Sequence, residues 1–162
     1  MTSEQARAFV GPRADYYLTR WDRLTERSSR ALGFNFPAFF LSVFWLLYRR
    51  MYLWFWVAVA TLVASLVIED IALAAAGVQE LPLLDRLIGI GVSAVFGTFG
   101  TYWYYLHAQR KIQRLSQDTV PELAAVARAG GTSWLTPVIA LTVIVALMVL
   151  GWWADTQFPS RP

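Results

Sequence analysis

The chain has 162 residues, a net charge of +3, 57% hydrophobic residues and a mean hydropathy of +0.44, a balance found in membrane proteins rather than soluble ones. Cysteine is absent, which excludes disulfides, thiolate metal sites and cysteine nucleophiles, and thirteen Arg with one Lys supply the positive charge.

The N-terminal stretch MTSEQARAFVGPRADYY has no apolar run followed by a small-residue cleavage site, so no removable signal peptide is expected. PRADYYLTRWDRLTERSSR reads as a helix opened by Pro12, with Tyr17, Trp21 and Leu24 on one side and Arg20, Arg23 and Arg27 around it. Residues 1–33 are therefore expected to be a cytoplasmic amphipathic segment. It would lie on an anionic leaflet, dock on a partner, or pack as a cap on the protein's own membrane domain.

FFLSVFWLLYRRMYLWFW, residues 39–56, is apolar apart from Ser42 and the adjacent Arg49 and Arg50. An arginine at the centre of a span costs about 2.5 to 3.5 kcal/mol, so one continuous crossing is disfavoured. Phe34 to Tyr48 alone would extend only about 22 Å, short of a hydrocarbon core of roughly 30 Å. Residues 34–50 are expected to form an interfacial or re-entrant helix on the cytoplasmic side, N-capped by Asn35 with Pro37 in its first turn. Asn35, Ser42 and Arg49, seven apart, would form its narrow polar stripe. Arg49 and Arg50 would pin the corner at the headgroups before the first true crossing.

Three stretches are apolar enough to cross: about 51–68, 87–106 and 135–153, a transmembrane domain spanning 51–153 with a short outer tail at 154–162. The loop after the first carries Glu69, Asp70, Glu80 and Asp85 against Arg86. The segment before it has eight Arg, and the second loop has Arg110, Lys111, Arg114 and Arg128. Basic loops stay inside, which puts the N-terminus in the cytoplasm and the C-terminus in the periplasm of a bacterial inner membrane. In the second loop, Thr119 and Glu122 stand at capping-box spacing, and Gly130-Gly131 ends the turn and a half that follows.

Gly89, Ser93, Gly97 and Thr101 recur every four residues and give one face of the second span a ladder of small side chains. Another helix could approach closely there, from the first or third span or from another subunit. Trp45, Tyr48, Tyr52, Trp54 and Trp56 crowd the inner boundary with Tyr102 to Tyr105 and Trp134, mostly as an aromatic belt and partly as a contact surface for a partner.

His107, the single histidine, stands at the inner end of the second span, where it is either solvated or an axial ligand to haem or a pigment. Glu69-Asp70 at the outer end of the first span could bind a cation or merely punctuate the topology. The spans have no ionisable interior residue, which counts against an autonomous pump or transporter. No catalytic constellation, phosphate loop or metal spacing appears, so no enzyme, cofactor or metal site is expected, and the scattered basic residues make no nucleic-acid reader.

Tyr16, Tyr17, Trp21, Asn35, Phe44 to Tyr48, Arg49, Arg50, Met51 and Tyr52 resemble the signature of a bacterial membrane-protein family catalogued only as a domain of unknown function. The resemblance covers roughly residues 9–56, with an echo in YWYYLHAQRKI, and implies an inner-membrane protein without importing any catalytic residue. Two positions depart from the pattern: Phe36, where relatives tend to have Trp, and Ser42-Val43, where they tend to have Gly-Pro. The second departure implies a straighter helix here.

The expected class is thus an all-α integral membrane protein of three spans, one interfacial helix and one N-terminal amphipathic helix. The expected function is a non-enzymatic accessory, structural or assembly subunit of a larger membrane complex, with lipid and other integral subunits as partners. An energy-transducing complex, photosynthetic or respiratory, is one plausible host. The alternatives are a small homo-oligomeric transporter or channel component and a pigment- or haem-binding protein using His107.

Overall fold

The computed structural model describes residues 1–27, 33–78, 82–116 and 120–157, in which eight helices and no strand are found. The chain opens with α1 (Ser3–Val10), whose capping box is made by Thr2 and Gln5: the Gln5 amide donates to Thr2 Oγ1 at 3.2 Å, and the Thr2 amide to Gln5 Oε1 at 2.9 Å. Gly11 at φ 76° ends it, and α2 (Ala14–Arg27) follows.

Residues 34–50 do not form one straight helix. Asn35 caps α3 (Phe36–Leu41) as expected, its Oδ1 accepting from the Ala38 amide at 3.1 Å. The chain then breaks at Ser42, held at φ 44°, ψ −120°, before α4 (Val43–Tyr48). The corner at Arg49 to Met51 follows, with Arg50 left-handed at φ 55° and the Met51 amide donating to the Leu46 carbonyl at 2.8 Å. The run FFLSVFWLLYRRMYLWFW is therefore a corner and not one continuous helix.

From the corner α5 (Tyr52–Ala76) extends to Gly77, whose left-handed φ of 65° ends the helix. The chain returns through α6 (Pro82–Leu115), turns into α7 (Leu123–Ala129) and leaves again as α8 (Leu135–Gln157). Glu122 stands at the α7 N-cap without a side-chain capping bond, and the expected Thr119 partner lies outside the described residues.

The core is a helical cap. Phe9 and Val10 of α1, Tyr17 and Trp21 of α2, Ala38 of α3, Trp45 and Leu46 of α4, Val126 of α7 and the inner half of α6 are all buried together. Each large side chain removed from water here contributes on the order of 1.5–3 kcal/mol. The amphipathic N-terminal segment thus packs as a cap on its own chain, the last of the three readings that its pattern allowed. Arg7 and Asp15 add an exposed ion pair at 2.7 Å between α1 and α2, worth roughly 0–1 kcal/mol.

Among the described residues, two helices are long and apolar enough to cross a membrane, Tyr52–Ala76 and Leu135–Ala154, and not the three expected. Their length and composition point weakly to membrane association. The stretch 87–106 falls short in composition, because the threonines, glycines and tyrosines of its second half dilute its apolar character; Phe96, Gly97, Gly100, Thr101 and Tyr104 of that half are buried in the cap. No Cα of α5, α6 or α8 comes within 8 Å of another of the three among the described residues, and α5 meets α6 through side chains near the cap, where Trp54 stacks on Trp103 at a ring-centroid distance of 6.4 Å.

Candidate functional site

Two linked nodes form where α2, α4 and α6 meet. In the first, Asn35 bridges the start of α3 to the small-residue face of α6. Its amide donates to the Gly97 carbonyl at 2.7 Å and its Nδ2 to Thr101 Oγ1 at 3.2 Å, while Trp21 Nε1 donates to the Thr101 carbonyl at 3.4 Å. Asn35 and Thr101 have no exposed surface, so these bonds satisfy groups that would each cost roughly 1–3 kcal/mol if left unpaired. The close approach needs the glycines: a β-carbon on Gly97 would stand 2.6 Å from the Phe34 ring, and one on Gly100 would stand 3.0 Å from the β-carbon of Ala38.

The second node is Arg49. It stands at the corner it was expected to pin, but as a buried residue of the cap, 3% exposed. The guanidinium carbon lies 4.5 Å from the Tyr17 ring centroid, 4.8 Å from that of Tyr104 and 5.5 Å from that of Tyr48. Tyr104 in turn touches Phe9, Tyr17, Trp21 and Trp45 at ring-centroid distances of 5.1–6.2 Å. The face of a tyrosine ring attracts a cation by about 0.5–2 kcal/mol, so three rings offset much of the several kcal/mol that dehydrating an arginine costs. Arg50 goes elsewhere: its Nη1 donates to the carbonyls of Arg128 at 3.3 Å and Gly130 at 3.2 Å, capping the C-terminus of α7. With Ser133 N donating to Tyr48 O at 2.9 Å and Thr136 Oγ1 to Leu47 O at 3.1 Å, the corner is stitched to the start of α8.

The structure therefore gathers Tyr17, Trp21, Trp45, Tyr48, Arg49, Gly97 and Thr101 and leaves other expected residues apart. Much of the inner aromatic density is core and not belt, since Trp45 and Tyr104 are fully buried whereas Tyr52, Trp56 and Trp134 are exposed. The small-residue ladder splits. Gly97 and Thr101 receive α3 and the segment before it, not the first or third span, while Gly89 and Gly91 face open space and Ser93 lines an open groove with Phe39, Phe40 and Arg86.

His107 is half-buried, its ring 6.1 Å from that of Phe9. Burial, followed by repulsion from Lys111 and then Arg110, pushes its pKa down to about 4. No group of three or more metal-ligating side chains occurs among the described residues. Phe9 was not singled out by pattern, and Tyr104 and Gly130 were read only as belt and as turn, not as contacts of the core. Thr2-x-x-Gln5 was a readable start for α1, and Tyr104, Ala108 and Ile112 continue the face of Gly97 and Thr101 at helical spacing.

The arrangement defines a class first: a helical cap organised by a buried arginine and carrying long apolar helices that are largely exposed. A family profile described as "Protein of unknown function (DUF2628)" matches residues 5–110, well over half of the chain, and the protein belongs to that family. The matched stretch contains both nodes and stops short of α7 and α8. No curated protein and no solved structure matches the chain.

Proposed function

We propose that the protein is a non-enzymatic accessory or assembly subunit of a larger integral membrane complex in a bacterial cytoplasmic membrane, with its cap in the cytoplasm. The observation that carries this reading is the exposure of the two long apolar helices: α5 has no buried residue, and the apolar stretch of α8 is almost wholly uncovered by the rest of the chain. Membrane helices associate through close packing with their neighbours, and faces not packed within the chain are open to lipid or to other subunits. An apolar groove of about 310 Å³ opens between α5 and α6, bordered by Trp54, Ala58, Val92 and Phe96. The basic residues of the cap supply the cytoplasmic assignment.

Connectivity supports a third crossing by α6. If α5 crosses away from the corner, α6 is the helix that has to bring the chain back to the cap, which it meets at Phe96. The C-terminus then falls in the periplasm. Purification of the full chain from its native membrane in mild detergent, with co-purifying subunits identified by mass spectrometry, tests the proposal. A stoichiometric heterologous membrane partner is expected. A monomer without one, or a homo-oligomer crosslinked through cysteines placed at Gly89 and Ser93, sinks it.

A further inference from the structure

Arg49 has attraction but no acceptor. Among the described residues, its Nε and Nη1 are buried without a hydrogen-bond partner, and so is the hydroxyl of the fully buried Tyr104. Ring faces offset the positive charge and the Tyr104 hydroxyl lies beside the guanidinium, but one phenol oxygen cannot serve three N–H bonds and its own O–H, and no carboxylate or carbonyl oxygen bonds either group among the described residues. Buried donors in folded proteins nearly always have an acceptor, and a forked cationic donor set pairs best with a carboxylate or phosphate oxygen. Tyr48 is the farthest of the three rings, at 5.5 Å, and is only half-buried, resting on the exposed Trp134 at 4.7 Å. Rotating it is the least costly way to open the guanidinium to a ligand.

The position selects the source. Arg49 lies two residues ahead of Met51, the N-cap of the apolar helix α5, which is the headgroup level if α5 crosses. The apolar groove between α5 and α6 includes Leu46, one turn before Arg49, and Trp103, next to Tyr104. We infer that Arg49 and the Tyr104 hydroxyl bind a phosphate-type oxyanion, supplied by the headgroup of a phospholipid whose acyl chain lies in the α5–α6 groove. The oxyanion chemistry stands on the cap alone, and the lipid source rests on the membrane reading above.

The test uses the full chain in mild detergent, with phosphatidylglycerol in mixed micelles as one probe and inorganic phosphate as the other. Native mass spectrometry and thermal melts provide the readouts. The wild-type protein is expected to retain one phosphatidylglycerol, with affinity reduced at least about tenfold in Arg49→Gln and severalfold in Tyr104→Phe, which keeps the ring and loses one donor. Should Arg49→Gln lose its helical circular dichroism, Tyr104→Phe decides. If inorganic phosphate alone raises the melting temperature of the wild type and not of Arg49→Gln, the oxyanion site stands and free phosphate is its source. Equal retention of lipid, and no differential response to phosphate, in folded wild type, Arg49→Gln and Tyr104→Phe overturns the proposal. Native mass spectrometry reads protein partners separately. A monomer that holds one lipid through Arg49 therefore removes the accessory-subunit reading and leaves this one in place.

Discussion

Single β-carbons separate the glycines of this chain into three groups. At Gly130 a methyl would strike the Phe9 carbonyl and stand 2.7 Å from Phe9 Cγ, on backbone that the Gly131 amide already holds to Phe9 by a 2.7 Å hydrogen bond. Gly130→Ala is expected to cost about 3 kcal/mol, because the neighbour that must move is main chain. At Gly97 the obstacles are the ring of Phe34, which is 39% exposed and can swing away, and the β-carbon of Phe39 at 3.1 Å, which has to give by a few tenths of an ångström, so Gly97→Ala is expected to cost about 1–2 kcal/mol. At Gly91 nothing lies within 4 Å, and alanine there should be neutral or stabilising by up to about 1 kcal/mol through helix propensity. Equilibrium unfolding in detergent, read by circular dichroism, checks the order. His107 gives a pH dependence at the same scale. Its pKa is lowered from 6.5 to about 4 in the folded chain, so the unfolded state binds the proton first as pH falls. The contribution of a neutral His107 is complete above about pH 6.5 and lost on descent to about pH 4. After allowance for the part of the ring that water reaches, the loss is about 1–2 kcal/mol, and it should be absent in His107→Gln when melting temperatures are compared at pH 7.5 and 4.5.

Helix boundaries tell how far local pattern carried. The corner at Arg49-Arg50 was readable because two charges cannot sit in mid-span, and the Asn35 cap was readable because its chemistry is local. The break at Ser42 was not, and the straighter helix implied by the absence of Gly-Pro is corrected by φ 44° at a residue with a β-carbon. That backbone costs about 1–3 kcal/mol in serine, and tertiary contacts hold it: α3 is fixed on Gly97 and Thr101 while α4 is fixed on the start of α8. Ser42→Gly should relieve the strain at a smaller entropic cost and stabilise the protein by about 1 kcal/mol, read from the same unfolding curves. A destabilised Ser42→Gly would mean that the break carries no strain. The fate of Arg49 was hidden for a related reason. Next to a second arginine at a helix end it has the pattern of a headgroup anchor, and only the arrival of Tyr17 from α2 and Tyr104 from α6 turns it inward. Local sequence shows a charge but not the rings that come to it from elements 32 residues before it and 55 after.

At the scale of the whole molecule, the cap fixes where each long helix starts or ends, and this makes the crossing number testable without knowing the partner. The Met51 end of α5, Ala108 and Ile112 of α6, and the buried Pro137 at the start of α8 lie at or next to the cap, so Val78 and Thr156 belong to the far ends of α5 and α8. Because the chain has no cysteine, single-cysteine variants report without background. Val78→Cys and Thr156→Cys are expected to react with a membrane-impermeant maleimide added outside intact spheroplasts, and Ser3→Cys and Ser116→Cys only after lysis. These positions are exposed at the surface of the fold, so a silent site would reflect the bilayer and not burial in protein. Labelling of Val78 and Ser116 from one side would remove α6 as a crossing, and labelling of Ser3 from outside would invert the orientation drawn from the arginines. If Val78, Thr156, Ser3 and Ser116 all react in intact cells, α5 and α8 are apolar arms of a surface-associated protein, and the groove between α5 and α6 would then need a protein partner rather than lipid to cover it.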